Sequence, residues 1–205
     1  MTWNQEVVAT ILGAFLTGVA GPIAVQWIKA RQSQKKDTVA EEINFSRAID
    51  HKIEEIKDRY QADRVWITQF HNGGHYAPTG KSIQKFSIFY EVTAPDIPPT
   101  KMMFQNIPVS LFAKTTAEVY DKGYLAVPDF KDPDTENYGM KYLADETGCK
   151  SYYGFAIFCI ENKLIGTLGV EYTKKKRELT RSEIGELEVE AAVLGGVITN
   201  YLKSR

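Results

Sequence analysis

CKSYYGFAIFCIENKLIGTLGVEY, residues 149 to 172, carries two runs rich in β-branched and aromatic residues on either side of Glu161-Asn162. Two such runs joined by so short a polar connection read as an antiparallel hairpin. Working outward, YLAVPDF (124–130) is a short strand broken by Pro128. Further upstream RVWITQF (64–70) and KFSIFYEVT (85–93) have strand composition. Between these strands, 94–108 contains four prolines and reads as loop, and 109–122 is a helix closed by Gly123. Residues 137–147 form a shorter helix ending at Gly148.

Two longer helices flank the strands. From Thr38 to Asp63, Ile49, Ile53, Ile56 and Tyr60 recur at three-four spacing, a narrow seam entering the domain. The last helix opens at LTRSE, where Thr180 caps and Glu183 completes a capping box, and it runs to the end of the chain. Its seam is Ile184, Leu187, Ala191, Leu194, Ile198 and Tyr201, with Val189, Val193 and Val197 beside it. The apolar surface left over on the final helix points to a parallel homodimer with Ile49, Ile53, Ile56, Leu187, Leu194 and Ile198 at the interface. Antiparallel strands, inserted helices and terminal helices together make an α+β domain.

GYLAVPDFKDPD (123–134), the hairpin, and RELTRSEIGELE (177–188) together resemble the second half of a GAF domain. That family shows a strand with Val-Pro-Asp-like residues, a Ser-containing strand, a hairpin into Ile-Gly-x-Leu-Gly-Val, and a Leu-Thr-x-x-Glu helix start. The resemblance implies an antiparallel sheet with N- and C-terminal helices on one face and a small-ligand pocket on the other. It makes Asp129, Ser151 and Tyr153 polar candidates for that pocket. The Asn-Lys-Phe-Asp-Glu signature of cyclic-nucleotide binders is absent, and Lys150 follows Cys149 where bilin-attaching members often carry histidine.

FHNGGHY (70–76) lies between two strands, so it is first a connection, and Asn-Gly-Gly supplies residues that tolerate positive φ. A phosphate loop would need a lysine and a following helix. Gly73 and Gly74 keep His71 and His75 off a common helical face and no third ligand is close in sequence, so no metal is expected. His71 and Asn72 join the ligand-binding candidates, at the mouth of the pocket. No nucleophile with a base and an orienter is readable, so the chain is not expected to be an enzyme. Cys149 and Cys159 read as free thiols, and Lys174 to Glu178 as a solvated basic loop.

The 205 residues, 43 % hydrophobic with a net charge of −1, allow one core plus an appendage and give no reason to expect nucleic acid as a partner. The appendage is Val7 to Ile28, which carries no charge and as a helix spans roughly 33 Å at about 1.5 Å per residue. Trp3 and Trp27 stand at its ends, and Lys29, Arg31, Lys35 and Lys36 follow it. The expected organisation is an external tail (1–6), a transmembrane helix (7–28), a basic linker (29–37), a stalk helix (38–63) and the GAF-like domain (64–205), with the domain cytoplasmic. The function this implies is that of a membrane-anchored, dimeric sensory module binding a small-molecule ligand, the cofactor being unspecified. The alternative is a holin-like pore-forming or exclusion protein, as of a bacterial virus, with the domain as scaffold.

Overall fold

The computed structural model describes residues 21–23, 25–26, 37–77 and 79–203. The chain divides into Met1–Asn44 and Phe45–Arg205. In the first unit, 21–23 and 25–26 are helical, and Asp37 accepts the backbone N–H groups of Val39 and Ala40 at 3.1 and 3.0 Å, capping helix α1 (Thr38–Tyr60). No helix among the described residues is long and apolar enough to cross a membrane. The span expected at 7–28 lies outside the described residues except for those five helical positions, as do the tail and nearly all of the linker.

After α1 come β1 (Arg64–His75), β2 (Ser82–Thr93), β3 (Ile107–Pro108), a 3-10 turn (Val109–Phe112) and α2 (Ala113–Lys122). Then follow β4 (Tyr124–Val127), α3 (Lys141–Thr147), β5 (Ser151–Phe158), β6 (Leu164–Tyr172) and α4 (Arg181–Lys203). The six strands form one sheet in the order β3-β2-β1-β6-β5-β4, antiparallel throughout. Gly123 and Gly148 close α2 and α3 in the left-handed conformation, as their positions in the sequence imply.

FHNGGHY differs from its reading as a bend. β1 continues through it, pairing His71 with Lys85 and Asn72 with Gln84, and the chain reverses only beyond His75, where Tyr76 N–H bonds Lys81 O. The aliphatic stem of Lys85 packs where a Gly73 side chain would stand, so the glycine serves close packing inside a ladder.

Both faces of the sheet are covered. One carries Val65, Ile67, Phe155, Ile157, Leu168 and Val170, on which α1 and α4 pack. Gly195 lets α4 approach β5, since a Cβ there would lie 2.2 Å from Phe158 O. α1 and α4 are joined by the Phe45–Tyr201 stack at 3.9 Å and by Glu190, which takes Lys52 at 2.8 Å and Arg59 at 2.9 Å. This corrects the expected dimer interface. Ile49, Ile53, Ile56, Leu187, Leu194 and Ile198 are all at most 1 % exposed within a single chain, so none offers surface to a partner. Their narrow seams look inward because each helix lies on the sheet along one stripe. The exposed apolar stripe of α4 is Val189, Val193 and Val197.

Candidate functional site

The opposite face carries Trp66, Leu125, Val127, Tyr152 and Ala156, roofed by α2, α3 and the 3-10 turn. The roof leaves a cavity of about 90 Å³. Alternation along the strands supplies its floor: Trp66, Thr68 and Phe70 from β1, Tyr152 from β5, Thr167 and Glu171 from β6. On β2 a bulge does the selecting. Ile67 pairs with Tyr90 but Thr68 pairs with Ile88, so Phe89 is the extra residue. Ile88 and Phe86 therefore face the cavity while Tyr90, which unbroken alternation would have placed beside them, joins the core under α1 and α4.

The floor is flat because two strand positions lack side chains. A Cβ at Gly169 would come within 2.3 Å of the Trp66 ring, and one at Gly154 within 2.2 Å of the Tyr152 hydroxyl. The two rings lie down over these glycines and stack at 5.8 Å and 15°. Trp66 Nε1 donates to Glu171 Oε1 at 2.8 Å. The other Glu171 oxygen accepts from Arg64, whose Nη2 donates to Pro98 O at 3.0 Å and whose Nε lies 3.6 Å from Glu91. Burial pushes the Glu171 carboxyl up, with Arg64 pulling it back.

From the roof come Thr115, Thr116 and Val119 of α2 and Leu143, Ala144 and Thr147 of α3. Thr115 is 9 % exposed and its hydroxyl has no hydrogen-bond partner. Cys149 also lines the cavity, but its thiol donates to Ser151 O at 3.2 Å and burial pushes it well above the ordinary thiol range, so it is a poor nucleophile. Tyr152 is raised for the same reason.

None of the five expected ligand residues lines this cavity. His71 and Asn72 lie beyond the cavity end of β1: His71 shares the alternation of Val65 and Ile67 on the other face, its Nε2 2.9 Å from Ser87 Oγ, and Asn72 accepts from Gln84 at 2.8 Å. The other three latch the basic loop before α4. Ser151 Oγ donates to Pro128 O at 2.7 Å and accepts Arg177 N–H at 2.8 Å. Tyr153 Oη donates to Arg177 O at 2.9 Å and accepts Leu179 N–H at 3.0 Å. Asp129 pairs with Lys176 at 2.8 Å, which holds its carboxyl below the usual range. The lysines of that loop are exposed as expected, but Arg177 turns inward onto Tyr60 O and Glu183. No cluster that could hold a metal occurs among the described residues.

A six-stranded antiparallel sheet with its terminal helices on one face and a roofed cavity on the other is the GAF-domain architecture. Solved structures agree with that class. The phycocyanobilin-bound GAF domain of a cyanobacterial phytochrome superposes with a TM-score of 0.62 at 17% identity, covering 100% of this chain and 99% of that one. The blue-light-absorbing form of the Thermosynechococcus elongatus PixJ GAF domain gives 0.60 at 15%, covering 80% and 92%. The GAF domain region of a protein of Geobacter sulfurreducens PCA gives 0.60 at 11%, covering 80% and 99%. No family model and no curated protein matches the chain. At these identities the likeness is one of fold.

Proposed function

We propose that the chain is a membrane-anchored cytoplasmic sensory module that binds a small molecule in this cavity and acts as a dimer, with output supplied by a partner. The observation that carries the reading is the cavity itself: lined in large part by aromatic rings, floored by flat-lying Trp66 and Tyr152, and holding an unpaired buried hydroxyl on Thr115. An orphan polar group in such a place costs stability unless something pairs with it. The same ligand would reach α1 and α4 through the sheet, since Trp66 rests on Gly169 and the neighbouring Leu168 and Val170 form the core beneath those helices. The uncharged run 7–28 and the basic residues after it support the anchor and its orientation.

A bilin does not fit this site. The cavity of about 90 Å³ is well below the roughly 300–1,000 Å³ of pockets for drug-sized ligands, and Cys149 is buried with its thiol engaged. The ligand is a compound of only a few heavy atoms.

One experiment tests both parts. Membranes from cells making the chain are washed in carbonate and extracted in detergent, and the purified protein is weighed by native mass spectrometry. The expected result is membrane-retained protein carrying a small adduct that Ala144→Leu, which fills the cavity, removes. Release into the carbonate wash overturns the anchor. A bare chain mass in every preparation overturns the ligand reading.

A further inference from the structure

An unbalanced set of buried charges reaches the cavity floor at Glu171. Arg64, 0 % exposed, is shared between Glu171 and Glu91. Glu91 is also held by Thr100 N–H, Thr100 Oγ1 and Lys101 N–H, each at 2.7 Å. Its side chain is 2 % exposed, whereas that of Glu171, 12 % exposed, borders the cavity. Each Glu171 oxygen has one protein donor, Trp66 or Arg64, and so retains a lone pair for another. No lysine, arginine or histidine is among the described residues lining the cavity. Much of the wall is ring surface, with Trp66, Phe70, Phe86, Phe104, Phe112 and Tyr152 among its members, beside the threonine and aliphatic side chains of the roof.

Three ligand classes fare differently here. An anion meets a carboxylate and no neutralising group, so carboxylates and phosphates are excluded. A neutral apolar guest fills the space but leaves Glu171 and Thr115 Oγ1 without a new partner. A small organic ammonium ion balances the second carboxylate, donates N–H bonds to Glu171 and Thr115, and sets its positive charge against ring faces. Size agrees: a dry cavity of about 150 Å³ accommodates benzene, and this one of about 90 Å³ accommodates an amine of about two carbons.

We propose that the ligand of this cavity is a small organic ammonium ion, held by Glu171 and Thr115 within the aromatic walls. The inference rests on the cavity being the ligand site, and its test separates the two. The probes are ethylammonium, ethanol and acetate, which share a two-carbon size that the cavity admits and differ in head group. They are titrated into the full chain in detergent by calorimetry, with thermal unfolding followed in parallel. The ammonium is expected to bind saturably and raise the melting temperature, ethanol to bind at least about 10-fold more weakly, and acetate not to bind. Glu171→Gln is expected to weaken the ammonium by about 10-fold or more while leaving ethanol unchanged. Because Glu171→Gln also takes a partner from Arg64, Thr115→Val and Phe104→Leu are measured beside it. Both leave the ion cluster intact, and each is expected to cost the ammonium about three- to ten-fold, with the circular dichroism of the folded chain retained. Binding of ethanol or acetate as tight as that of the ammonium overturns the cation reading and leaves the cavity a ligand site. A folded chain that binds none of the three overturns both.

Discussion

Tyr152 and Tyr153 are neighbours in the chain, and the strand turns them to opposite sides of the sheet. Tyr152 lies over Gly154 on the cavity floor, stacked with Trp66. Tyr153, 1 % exposed, uses its hydroxyl twice, donating to Arg177 O and accepting from Leu179 N–H. It holds the loop that feeds α4. Tyr153→Phe leaves a buried N–H without an acceptor, and a loss of about 1–3 kcal/mol is expected in urea unfolding. Tyr152→Phe removes a hydroxyl from the cavity wall and is expected to move stability less than Tyr153→Phe in the same measurement. If the two variants lose equal stability, the assignment of Tyr153 to the latch is wrong.

At the scale of the element, α4 is set by a reciprocal cap. Glu183 N–H donates to Thr180 Oγ1 at 3.2 Å, and Thr180 N–H to Glu183 Oε2 at 2.8 Å. The Thr180 backbone bond is the main reason the Glu183 carboxyl sits below its ordinary 4.5, with Arg177 adding to it. A carboxyl depressed in the folded state contributes stability that is present above the unfolded value and is lost as pH falls through the folded one. The melting temperature is therefore expected to fall between neutral pH and pH values below 4.5, and Glu183→Gln to flatten part of that decline. Thr180→Ala is expected to cost about 1 kcal/mol at neutral pH. An identical pH profile for Glu183→Gln would remove the cap from the account. The same loop shows how an element escapes its composition: Lys174 to Lys176 are exposed, yet Ser151, Tyr153 and Asp63 tie the backbone around them, Asp63 accepting Thr173 N–H at 2.7 Å and Lys174 N–H at 2.8 Å.

For the whole molecule, α4 has one buried stripe and one exposed. Leu194 is 1 % exposed, and its neighbour Val193 is 50 %, aligned with Val189 at 63 % and Val197 at 40 %. Under the proposed dimer the valine stripe is the contact, its pairing favoured by a shared membrane plane that raises effective concentration. Val193→Glu in the full chain is expected to give a folded monomer in sedimentation. Leu194→Glu, which puts a charge into the core under the sheet, is expected to abolish folding by circular dichroism. A wild-type chain that sediments as a monomer, or a Val193→Glu chain that remains a dimer, overturns this interface.

The sequence by itself determined what is local. Glu161-Asn162 between two apolar runs marks the β5–β6 hairpin, the Thr180 and Glu183 pair marks the start of α4, and Gly123 and Gly148 mark the ends of α2 and α3, because turns and caps are set by residues a few positions apart. The composition of β1 and β5 also marks them as strands. It does not say which face is roofed by helices and which encloses a cavity, since an apolar strand alternates equally well in either sense. That choice put Tyr152 in the cavity and Tyr153 in the latch. Tertiary structure alone decided the rest: the extra residue at Phe89 that turns Ile88 and Tyr90 to different faces, and the meeting of Arg64, Glu91 and Glu171, whose strands are brought side by side only by the order β2-β1-β6 within the sheet.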